Sequence, residues 1–172
     1  MSADNVKETI HAMINDQQRL WDGLASRATP ELIEVPLNDS WTFGSLAKHL
    51  VAWNDVSLER LEAIAAGREL PPLPFPEEWS GDEMNAAFRE RDATADPQAA
   101  ITAFSAAFNR YHAVVDALPD SALVDPDFFP DLEGKSMYEL AAAGEYFHHL
   151  PVEHAPEIEA WNNLTANKDG DV

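Results

Sequence analysis

The residues of this chain best suited to chemistry are its six histidines: His11, His49, His112, His148, His149 and His154. A neutral imidazole is a good metal ligand, and a titrating one is an acid–base group near neutral pH. His49 lies between Leu46, Leu50 and Trp53 at helical spacing, so it faces an apolar seam. The run FHHLPVEH, residues 147–154, concentrates three more histidines. Of these, His154 shares a stripe with Leu140, Gly144, Phe147, Pro151, Ile158 and Trp161, and also faces inward. A buried imidazole needs a partner for each nitrogen, or burial becomes costly. Three inward imidazoles make a good donor set for a borderline divalent cation, zinc or nickel by imidazole preference. Three protein ligands leave one position open, as a catalytic rather than a structural site requires. The plainer alternative is a set of separate histidines, each hydrogen-bonded to backbone or carboxylate.

Spacing decides which histidines can meet. His149 precedes His154 by five residues and His148 precedes it by six. Neither pair shares a face of a regular α-helix. Pro151 removes a backbone donor and crowds the carbonyl of Phe147, which predicts a kink or a π-bulge within residues 146–152. One inserted residue would align His149 with His154 as an i, i+4 pair, so the candidate ligands are His49, His149 and His154. Glu145, one turn before His149, is a candidate fourth ligand or orienting carboxylate, against the plainer reading of a solvated surface group. His11 and His112 flank their apolar stripes and read as structural.

Other chemistries are missing. The sequence has no cysteine, which excludes disulfides, thiolate nucleophiles and cysteine-held metals. It contains no Gly-rich phosphate loop, no GxSxG and no HExxH. Eleven Lys and Arg against 31 Asp and Glu give a formal charge of -20, which argues against nucleic acid and against an anionic membrane surface. The start, MSADNVKETIH, has no basic and apolar leader pattern, and no stretch approaches 18 consecutive apolar residues. The expectation is a cytoplasmic, soluble protein.

The elements that must position these histidines are helical. At 172 residues and 45% hydrophobic composition, one domain with a real core is expected over residues 1–165, followed by a flexible acidic tail at 166–172. Apolar residues recur at helical spacing in four segments: Asp4 to Arg27, Phe43 to Ala66, Pro97 to Leu118, and from Ser136 through Trp161. Asp4, Thr42 and Asp96 are placed to cap the first three, and Gly67 to end the second. Pro71, Pro72, Pro74 and Pro76 mark an extended connection, and a shorter helix is expected from Gly81 to Thr94. Residues 119–134 read as loop, and no segment has strand alternation. The predicted fold class is all-α, a four-helix bundle with one short extra helix between the second and third.

Two segments carry a resemblance. SWTFGSLAKHLVAW, residues 40–53, places Trp41, Thr42, His49, Leu50 and Trp53 as the DinB-like superfamily places a Trp-Ser/Thr step and an H-L-x-x-W pattern on its second helix. HHLPVEHAPEIEAW, residues 148–161, resembles the histidine pair of that superfamily's fourth helix. The resemblance implies a four-helix bundle with a three-histidine divalent-metal site. His49 corresponds to the second-helix ligand and His154 to the last. His149 corresponds to the middle one if a single extra residue is allowed. Members include mycothiol-, bacillithiol- or glutathione-dependent transferases and isomerases, and a ClbS-like branch of small protective hydrolases.

Three functions follow as alternatives. The first is a metal-dependent transferase, isomerase or hydrolase acting on a small molecule, with a thiol cosubstrate standing in for the cysteine this chain lacks. The second is a non-catalytic small-ligand-binding module. The third is a structural bundle, a homodimer, without metal.

Overall fold

The computed structural model describes residues 3–128, 134–144 and 146–166. The described residues are helical, with no strand among them beyond an isolated Pro36–Thr42 bridge. The helices are α1 (Ala3–Ala25), α2 (Phe43–Ala65), α3 (Gly81–Arg91), α4 (Pro97–Ala117), α5 (Asp120–Val124), α6 (Met137–Ala142), α7 (His149–Glu153) and α8 (Ala155–Ala166). A 3₁₀ turn, Tyr146–His148, leads directly into α7. The all-α class is as the periodicity predicts, and the short helix expected near Gly81 is α3.

Local chemistry sets the ends of the long helices. Thr42 and Ser45 form a reciprocal capping box at the start of α2, with Ser45 N–H to Thr42 Oγ1 at 3.0 Å and Thr42 N–H to Ser45 Oγ at 2.9 Å. At the other end Gly67 takes φ +64. There the Arg68 N–H donates to the Ala63 carbonyl and the Gly67 N–H to the Ile64 carbonyl, the paired bonds of a Schellman ending. Asp96 caps α4 by accepting from the Gln98 N–H at 3.0 Å, and Pro97 occupies the first turn, where its missing donor costs nothing. Asp4 does not cap α1: that helix already includes Ala3, so Asp4 is a first-turn carboxylate facing the helix dipole.

The core forms where α1, α2 and α4 meet α8. Trp21 stacks on Phe43 at 5.2 Å and meets Phe104 edge-on at 4.7 Å, while Phe43 stacks on Trp161 at 4.2 Å. Both buried indoles are satisfied: Trp21 donates to Ser105 Oγ and Trp161 to the Leu24 carbonyl. The proline-rich connection lies against this body through Phe75, which packs on Phe88 at 4.8 Å and stacks with Trp79 at 5.7 Å. Trp79 therefore anchors the linker.

Two expectations need correction. Residues 119–134 are not all loop: Asp120–Val124 form α5, because Ala122 and Leu123 are fully buried and the first turn costs little beside that burial. The fourth segment is not one long helix. It is cut into α6, the 3₁₀ turn, α7 and α8, with φ +91 at Gly144 and φ +53 at Tyr146. Glu145 and the tail beyond Ala166 lie outside the described residues.

Candidate metal centre

The break in the fourth segment builds the site. Ser136 caps α6 with Glu139 in a second kind of reciprocal box, and the chain then turns at Gly144. A Cβ at Gly144 would stand 2.5 Å from Val152 Cγ1, and its φ of +91 is unfavourable for any side chain, so both space and backbone demand glycine here. The helix restarts at His149. Its first-turn amide Leu150 N–H, which has no intrahelical acceptor, donates to the buried Gln17 Oε1 of α1 at 2.9 Å. Pro151 falls in this first turn, where no intrahelical donor is required. The irregularity predicted from Pro151 is present, but it is a 3₁₀ turn and a restart rather than a π-bulge, and Gly144 and Tyr146 rather than Pro151 carry it.

That restart resolves the spacing problem. Five residues along a continuous helix turn a side chain about 140° away. Here His149 is the first residue of α7 and His154 is the residue after its last, out of helix at φ −117. Their ring centroids are 5.0 Å apart. His49, from α2, stands 5.7 Å from the His149 ring and 5.2 Å from the His154 ring. One ligand atom from each of His49, His149 and His154 lies within 4.8 Å of the others. His148 is not part of this group, and neither are His11 and His112.

The electrostatics favour the neutral form of His49 and His154. Burial, reinforced by His154, His149 and Arg89, lowers the His49 pKa to about 3. His154 is also lowered, first by burial and then by His149, while Glu157 opposes the shift. His49 Nε2 and His154 Nε2 are buried and have no hydrogen-bond partner among the described residues. Leaving such an atom unpartnered typically costs about 1–3 kcal/mol, so two at one point call for a shared occupant. A divalent cation fits this donor set of neutral, borderline-soft nitrogens, in a chain that has no thiolate.

The surrounding residues hold the rings in place. His149 Nδ1 lies 3.2 Å from the Gly144 carbonyl, the natural acceptor for an N–H there, which turns Nε2 toward the cluster. His154 Nδ1 faces Glu157 Oε2 at 3.5 Å, and Glu157 Oε1 in turn accepts from Asn38 Nδ2 at 2.7 Å. Trp41 closes the outer side, edge-on to His49 at 5.0 Å and to His154 at 5.6 Å. Glu157 was not among the candidates from sequence, although its i+3 spacing from His154 was visible.

Two cavities flank the cluster. One, of about 340 Å³, reaches His149 and is walled by Leu50, Trp53, Phe104 and Leu73 of the linker. The other, of about 220 Å³, reaches His49 and carries Lys48 and Arg89 at its wall. Among the described residues, no helix is long and apolar enough to cross a membrane.

Comparison with known proteins identifies a family. No curated protein and no solved structure matches the chain. Residues 12–152 match the DinB superfamily, a span that takes in α2 with His49 and the break with His149 and stops two residues short of His154. With most of its length matched and its helices bringing three histidines together, the chain belongs to the DinB superfamily.

Proposed function

We propose that His49, His149 and His154 hold one divalent cation, zinc or nickel, and that the chain is a metal-dependent transferase, isomerase or hydrolase acting on a small molecule. The observation that carries this reading is the convergence of three imidazoles from two distant parts of the chain, two of them with buried, unpartnered Nε2 atoms, beside a cavity large enough for a small ligand. When bound, such a cation supplies Lewis acidity and lowers the pKa of a coordinated thiol or water. The chain supplies the rest. Glu157 and the Gly144 carbonyl fix the tautomers of His154 and His149. Trp41 excludes water from the outer face of His49 and His154. The apolar walls of the larger cavity strengthen electrostatic interactions at its inner end. Because the sequence has no cysteine, a thiol nucleophile has to arrive as a cosubstrate.

The test is elemental analysis after incubation with zinc or nickel and removal of excess metal. The expected result is one ion per chain in the wild type and none in His49→Ala. Wild-type protein that stays metal-free would leave the second reading, a ligand-binding module built on the cavity alone.

A further inference from the structure

The larger cavity is lined by polar as well as apolar side chains. Asn54, on α2, is 7% exposed, and Tyr111, on α4, is 1% exposed; both line the cavity. Tyr111 Oη donates to Asn54 Oδ1 at 2.5 Å. Burial raises the Tyr111 pKa far above the usual phenol range, so the phenol keeps its proton and remains a donor. Asn54 Nδ2 is buried with no hydrogen-bond partner among the described residues. Turning the amide over does not remove the deficit. Nδ2 would then donate to Tyr111 Oη and leave the phenol proton without an acceptor. In either orientation a buried donor of the pair is left unmet. Gln17, which also lines the cavity, accepts from the Leu150 N–H through Oε1 and makes no hydrogen bond to Asn54 Nδ2. Arg60 donates to the Pro71 carbonyl at the linker side.

We infer that the larger cavity binds an uncharged, largely apolar molecule through one carbonyl-type oxygen, which accepts a hydrogen bond from the Asn54–Tyr111 pair. This deepens the proposed function by naming a ligand class for the same site. It rests on that reading only in taking His149, which also lines the cavity, as the reacting end. Asn54 is then a specificity-determining residue. A molecule of the same shape without the oxygen leaves the donor unmet, and sites of this kind discriminate strongly against such analogues. A volume of about 340 Å³ suits a single substituted ring or a short branched chain.

The test uses acetophenone, ethylbenzene and benzoate as probes on the full-length protein, in metal-free and zinc-loaded form. Two quantities are read: dissociation constants from NMR titration, and the shift of the Asn54 side-chain amide resonances. Acetophenone is expected to move the Asn54 amide protons downfield, and ethylbenzene to leave them in place. In Asn54→Leu, acetophenone should bind at least about 10-fold more weakly, with ethylbenzene unchanged or tighter. Should Asn54→Leu not fold, the wild-type amide shifts decide alone. Binding in the metal-free protein supports the pocket whether or not a cation is held. Failure of acetophenone to bind at millimolar concentration overturns the inference. So does binding that appears only with zinc and leaves Asn54 unmoved, which would place the carbonyl on the metal and uphold the metal reading. Preference for benzoate over acetophenone would also overturn it, pointing to an anionic ligand.

Discussion

The molecule has two groups of histidines, and they are in opposite states. At the surface, His11 of α1 and His112 of α4 stack at 5.0 Å, with their Nδ1 atoms 2.7 Å apart, and His11 Nε2 meets Asp116 Oδ1 at 3.0 Å. One shared proton joins the two rings, and a carboxylate takes the next nitrogen. Inside, His49 and His154 each keep a buried Nε2 with no partner among the described residues. The side chains are the same, and each group joins distant parts of the chain. What separates them is the valence left over once local partners are counted. A histidine cluster signals a cation site only when its neighbours cannot finish its hydrogen bonding.

The sharpest way to break the comparison is to remove one ring from each group. His154→Ala is expected to weaken zinc binding by at least about 100-fold, more than the loss of an orienting neighbour costs. His112→Ala should leave zinc binding within about twofold. Competition titration with a zinc-sensitive chelating dye reads both. Equal losses in the two variants would erase the distinction between the groups.

A smaller effect sharpens it. Glu157→Gln keeps the shape of the side chain but removes the charge facing His154 Nδ1 at 3.5 Å. Zinc affinity should fall by roughly 10- to 100-fold with all three rings in place. The same titration checks it, and unchanged affinity would show that Glu157 serves only Asn38 and the packing of α8.

The smallest effect belongs to the surface pair and is read against pH. His112 is lowered, first by burial and then by the charge of His11, with Asp116 opposing. Lys7 and Asp120 also face this corner, 3.6 Å from each other. A folded-state pKa below the unfolded one means that the unfolded chain binds more protons as pH falls below about 6.5. The stability contributed by His112 is therefore full above that pH and is lost as pH falls through the lowered folded value. Because the pair is only partly buried, the expected effect is a few tenths of a kcal/mol. The urea midpoint should fall further between pH 7.5 and pH 5.5 in the wild type than in His112→Gln. An identical pH dependence in both proteins would mean that the pair does not sense protons at all.

The sequence disclosed some features of this structure better than others, for physical reasons. The ends of α2 and α4 are written in neighbouring residues: Thr42 with Ser45, Asp96 with Pro97, Gly67 with the last turn. Capping is local, so it is legible. The three ligand candidates were legible through inward spacing and the need to shift His149 in phase. The device that shifts it was not. Pro151 looked like the helix breaker, yet it rests in a first turn that tolerates it. The break depends on Gly144 fitting under Val152 and on Gln17, 133 residues away, receiving the Leu150 amide. Long-range partners of that kind leave no mark on a local pattern. Glu157 was hidden for a different reason: in a chain with 31 acidic residues, one more carboxylate carries no signal until a structure puts it beside an imidazole.

The five-residue length of α7 has a consequence for motion. A single turn between a 3₁₀ segment and a second break has few amide bonds of its own, so residues 146–154 are held mainly by the burial of Phe147 and Leu150 and by the bond to Gln17. A cation shared between this stretch and α2 would bind only the closed form, and its binding free energy would be added to the cost of opening. Amide hydrogen exchange at Leu150 and its neighbours would then slow in proportion to occupancy, while exchange at the centre of α4 stayed the same. The short helix would act as a hinged flap, and the cation as the latch that sets how often it swings.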